Sequence, residues 1–95
     1  MITINIKEDH IIINGHANFA EYGKDIVCAA VSSIVITTVN AILRIDDKAI
    51  TYKESSNLEI TINKHTEITD ILITNMIELL EELEKQYGKN IKIKY

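Results

Sequence analysis

At 95 residues the chain makes one small domain, with room for a single core and none for a multidomain enzyme. Hydrophobic residues at 46% and charged residues at 25% exclude disordered and fibrous classes. A net charge of −4 argues against naked nucleic acid as a partner, because such binding needs a cationic face to release counterions, and suits a basic protein or peptide better.

One cysteine, Cys28, cannot form an internal disulfide, and no basic leader followed by an apolar stretch opens the sequence. Both features make a cytoplasmic location the default expectation. The longest apolar stretch, 26–43, is interrupted by Ser32, Ser33, Thr37, Thr38 and Asn40. It reads as too polar and too short for a membrane span.

In chain order, Ile2, Ile4 and Ile6 alternate with Thr3, Asn5 and Lys7, the period of a strand with one buried face. Residues 8–10 read as a tight polar turn, and Ile11 to Ile13 as the second strand of a hairpin that delivers Gly15 and His16 at its end. Residues 17–24 show no sustained period and contain Gly23, a candidate hinge, so they read as a loop beside a site. Asp25 is the expected N-cap of a helix running to about Leu43, with a stripe of Val27, Val31, Ile34, Val35, Thr38 and Ile42. The β-branched run 34–39 would suit a strand on propensity alone, but a stripe of this length favours the helix.

Residues 49–54 and 58–62 form a second hairpin around a polar turn. A second helix is expected from Glu67 to Tyr87, capped by Thr66 and stopped by Gly88 in the left-handed conformation. Its expected buried face is Ile68, Leu72, Met76, Leu79, Leu80, Leu83 and Tyr87, with the acidic cluster Glu78, Glu81, Glu82 and Glu84 solvated. Residues 91–95 alternate again as a last strand. The order is ββαββαβ, an α+β fold with a mainly antiparallel sheet and two helices packed on it.

The chemistry concentrates between Gly15 and Ile34, GHANFAEYGKDIVCAAVSSI. A thiol in the first turn of a helix sits at the positive end of the helix dipole beside unpaired backbone N–H groups, which favours the thiolate and can later hold an oxyanion. A lone cysteine is more often a small buried hydrophobe. Three neighbours change that balance here. With Asp25 as N-cap, Cys28 is the third helical residue and its N–H bonds the aspartate; Ser32 lies one turn further on; His16, at the end of a strand, is linked by a loop long enough to fold back to the helix start. Ser32 reads equally well as a solvated helical serine. His10 and His65 read as surface residues, and neither a metal-ligand spacing nor a phosphate-binding glycine loop is found.

The run Gly15-His16-Ala17, then Glu21-Tyr22-Gly23, then Asp25-Ile26-Val27-Cys28-Ala29-Ala30 with Ser32 closely resembles the signature of the ribosomal-processing cysteine protease family, Prp. The resemblance spans the chain in length and element order, with its specificity resting on this window. It implies a bacterial cytoplasmic peptidase, homodimeric, without a cofactor, that removes an N-terminal extension from large-subunit ribosomal protein twenty-seven after a phenylalanine-rich motif. It implies Cys28 as nucleophile, His16 as general base, Asp25 and Ser32 as supporting residues by position, and a mobile loop over the site at 17–24. Asp25 either orders the helix start or orients His16. Two rival readings are a non-catalytic ribosome-associated binding protein and a thiol deamidase acting on glutamine.

Overall fold

A computed structural model of the chain describes residues 1–15 and 25–95. Strands β1 (Ile2–Ile6) and β2 (His10–Asn14) precede helix α1 (Asp25–Ile45); β3 (Ile50–Glu54) and β4 (Leu58–Ile62) precede α2 (Glu67–Gln86); and β5 (Ile91–Lys94) ends the fold. The expected ββαββαβ order is the observed one.

The five strands form one sheet in the order β3-β4-β2-β1-β5. Three pairings are antiparallel, with Ile4 opposite Ile13, Ile11 opposite Ile60 and Ile50 opposite Ile62, and β5 lies parallel to β1 with Ile93 opposite Ile4. This register follows from the alternation in the sequence. Ile2, Ile4, Ile11, Ile13, Ile50, Leu58, Ile60, Ile62, Ile91 and Ile93 are all buried, and a slip of one residue in any strand would turn its isoleucines to the opposite face.

Both helices cover that isoleucine face. Val27, Val31, Val35, Val39 and Ile42 of α1 and Ile73, Met76 and Leu80 of α2 join the strand residues in one buried cluster. The other face of the sheet, which carries His10, Ile12, Asn14, Glu59, Thr61, Lys92 and Lys94, is exposed or half-buried. His10 makes a hydrogen bond with Glu59 across it at 3.1 Å.

Several expectations are corrected in detail. Helix α1 runs two residues further than expected, to Ile45, and buries Val39 where the stripe had Ile34, which is half-buried. Over Ile26–Ile45 its mean hydropathy of 2.2 makes it long and apolar enough to cross a membrane by length and composition; isoleucine, valine and alanine outweigh the interrupting serines and threonines. Its valine stripe is nevertheless taken up by the isoleucine face of the sheet.

The buried face of α2 is rotated from the expected one. Thr69, Ile73, Met76 and Leu80 are its buried residues, while Ile68 is 51% exposed, Leu79 41% and Tyr87 37%. Apolar residues occur on several sides of this helix, and the packing of α1 beside it selects among them.

Its C-terminus also differs. The helix ends at Gln86 with Tyr87 as C-cap at φ −126°, its N–H bonded to the Leu83 carbonyl. Gly88 is not in the left-handed region; among the described residues the one with positive φ is Gly15. The N-terminus agrees, with the Thr66 hydroxyl oxygen accepting from the Thr69 N–H at 3.1 Å.

Candidate active site

Cys28 sits in the first turn of α1, half-buried and packed against the core cluster. Val27 and Val31 beside it point into the isoleucine face, so the helix is fixed in rotation with the thiol at the margin between core and solvent. Asp25 is the first helical residue rather than the cap, which makes Cys28 the fourth. The fourth N–H makes the first rung of a helix, so the N–H groups ahead of it, those of Asp25, Ile26 and Val27, have no partner within the helix. Ser32, half-buried, follows Cys28 by one turn on the same side of the helix.

Strand β2 precedes this helix in the chain. It lies between β1 and β4, with Ile13 opposite Leu58 on one side and Asn14 opposite Thr3 on the other. Gly15 follows at φ +89°. The next residue, His16, lies outside the described residues, as do the gating loop 17–24 with Gly23 and the Asp25 side chain. Of the four catalytic and supporting residues expected from the sequence, the described side chains are those of Cys28 and Ser32, one turn apart on α1.

The remaining histidines lie elsewhere. His65 bridges Asp9 at 2.5 Å and Asp70 at 2.9 Å at the opposite end of the sheet. These bonds, the one to Asp9 foremost, raise its pKa above the ordinary 6.5. His10 faces away from the helices with Glu59.

What sequence reasoning missed is the conformation of Gly15. The signal was a glycine placed directly before the histidine at the end of a strand, in a chain with only three glycines.

Comparison with known proteins defines the class as cysteine proteases. Residues 1–92 match the family model of cysteine protease Prp. The chain is 30% identical over 105 residues to the ribosomal processing cysteine protease Prp of Staphylococcus aureus, covering 100% of this chain and 99% of that one. It is 31% identical over 109 residues to the Bacillus subtilis protein of the same name, covering 98% and 96%. A crystal structure of the S. aureus protease with a covalently linked product peptide superposes with a TM-score of 0.83 at 28% identity, over 100% of this chain and 99% of that one. The chain belongs to the Prp family and is a cysteine protease.

Proposed function

We propose that this protease removes the N-terminal extension of bacterial large-subunit ribosomal protein twenty-seven, with Cys28 as nucleophile and His16 as general base. The observation that carries the reading is the position of the chain's one thiol, half-buried in the first turn of α1. The S. aureus relative, seen with a product peptide covalently linked, supports a covalent route. The names of the relatives, ribosomal processing proteases, support a ribosomal substrate.

In the proposed reaction His16 takes the thiol proton and the Cys28 sulfur attacks the scissile carbonyl carbon, forming a tetrahedral oxyanion. The N–H groups of Ile26 and Val27 are placed by the helix start to donate to that oxygen. His16 then protonates the leaving amine as the C–N bond breaks, leaving a thioester on Cys28. Water, deprotonated by His16, hydrolyses the thioester and restores the thiol. Asp25 organises the helix start, and Ser32 contacts the thiol or the substrate from one turn along. The loop 17–24, with Gly23 as hinge, closes over the peptide. The enzyme works in the cytoplasm as a homodimer and needs no cofactor.

Intact-mass spectrometry of a precursor peptide mixed with the protein tests the reading. Hydrolysis yields two fragments whose masses sum to that of the peptide plus water. A peptide bound but intact would identify a non-catalytic binding protein, and a gain of about one mass unit would identify a deamidase.

A further inference from the structure

Helix α2 turns Thr69, Ile73, Met76 and Leu80 into the core, and its opposite side is exposed. That side is not uniformly polar, since Ile68, Ile71 and Leu79 are exposed along it. Two shallow hollows follow it. One is lined by Glu67, Asp70, Ile71, Thr74, Asn75 and Glu78; the next shares Asn75 and Glu78 and continues past Leu79 and Glu82 to Lys85. Together they form one apolar-floored groove from the first turn of the helix to the last, about 27 Å long at roughly 1.5 Å per residue.

The charge on this groove is lopsided. Asp70 is hydrogen-bonded to His65, Glu81 receives the Tyr95 hydroxyl and Glu84 accepts from the Ile93 N–H. The carboxylates of Glu67, Glu78 and Glu82 make no hydrogen bond or ion pair among the described residues, and Lys85 is the one cation along the groove. Glu78 and Glu82 also stand one turn apart on the same side, a like-charge pair that weakens the helix carrying it. A cation brought from outside would relieve that repulsion.

Exposed isoleucine and leucine flanked by unpaired carboxylates fit a partner that is cationic and carries apolar side chains. A second copy does not meet that requirement, because an isologous contact through this groove would set Glu78 and Glu82 against their own equivalents. A protein that assembles with ribosomal RNA does meet it, because it must carry lysine and arginine to displace counterions from phosphate. We infer that the outer groove of α2 is a docking surface for the cationic body of the ribosomal-protein substrate, the part that remains after the extension is removed. The inference rests on the ribosomal substrate proposed above. Recognition is thereby divided: the extension is read beside Cys28 on α1, and the remainder is held at α2, which raises the effective concentration of the extension at the thiol.

The test follows steady-state cleavage of two substrates, the complete precursor protein and a synthetic peptide limited to the extension and its cleavage point. Wild type is compared with Glu78→Gln/Glu82→Gln and with Glu78→Lys/Glu82→Lys, all at exposed positions and each checked for folding by circular dichroism. Wild type should show a lower KM for the precursor than for the peptide. Charge reversal should raise the precursor KM about tenfold and neutralisation by less, with kcat and both peptide parameters unchanged. If the charge-reversed protein fails to fold, the neutralised one decides by the same comparison. A precursor KM no lower than that of the peptide, or one equal in wild type and variants, would overturn the inference. Equal losses on both substrates would overturn it too, since they mark a change in the fold rather than in docking. If wild type cuts neither substrate, the cleavage reading fails separately, and calorimetric titration with the mature ribosomal protein decides the docking. Binding to wild type that weakens on charge reversal upholds the surface; no binding, or equal binding by both proteins, overturns it.

Discussion

At the scale of single residues, the site is a contest between burial and reactivity. Cys28 packs against the core cluster, as a structural cysteine would, yet it stays half-buried rather than enclosed, in the first turn of α1, whose leading N–H groups have no partner within the helix. A core thiol reacts only when the protein opens, whereas one at the margin reacts in the folded state. Iodoacetamide should therefore modify Cys28 in buffer without denaturant, read as a single adduct by intact mass. Alkylation that appears only as urea unfolds the protein would show that the thiol is a core residue.

Among elements, the helix termini and hairpins carry most of the specificity. Thr66 caps α2, accepting from the Thr69 N–H while its hydroxyl donates to the Thr69 hydroxyl at 2.9 Å. Thr66→Ala removes both bonds and should lower unfolding stability by about 1 kcal/mol, measured as a shift in the midpoint of urea denaturation.

Near the same helix end, His65 ties the β1–β2 turn to α2 through Asp9 and Asp70. Both carboxylates favour the imidazolium, so the folded pKa lies above the 6.5 of an unfolded histidine. The stabilising contribution is thus fully present below about pH 6.5 and is lost as pH rises through the folded value. Because the cluster is exposed, the effect on stability is small. Proton NMR of the His65 ring should show a titration midpoint above 6.5 that moves down in Asp9→Asn; an unchanged midpoint in that variant would mean the bridge to Asp9 does not form in solution.

The C-terminal strand is tied in a different way. β5 lies at the sheet edge, and the backbone N–H of Ile93 donates to the Glu84 carboxylate at 2.8 Å. Glu81 receives the Tyr95 hydroxyl, which pushes the tyrosine pKa up to about 12. Part of the acidic cluster expected to be merely solvated therefore caps an edge strand that would otherwise offer donors to another chain. Glu84→Ala should destabilise the fold by about 1–2 kcal/mol, measured by chemical denaturation, and leave peptide cleavage unaffected.

At the scale of the whole molecule, what was legible in the sequence was whatever a period could express. Strict alternation in β1, β4 and β5 and the valine stripe of α1 specify which face is buried, and the sheet adopts that pattern. The face of α2 was misread because Ile68, Ile71 and Leu79 give it apolar residues on more than one side, and only contact with α1 and β5 decides which are covered. Gly88 was misread for a similar reason. A glycine after a helix is permitted the left-handed conformation, but here Tyr87 already closes the last turn with its N–H on Leu83. At the site, Cys28 and Ser32 could be placed from helical spacing, whereas the turn at Gly15 depends on the approach of the β1 start, a contact fourteen residues distant in sequence that no local pattern encodes.

The central claim is that this fold uses its one thiol to cut a peptide, and Cys28→Ala tests it most directly. The nucleophile supplies chemistry and little contact area, so the variant should bind the precursor peptide as wild type does while losing cleavage by roughly 10⁴-fold or more. The measurement is a time course of fragment formation beside a binding titration on the same preparations. Binding retained with cleavage abolished is the predicted result; fragment formation by Cys28→Ala at a rate comparable to wild type would contradict the account.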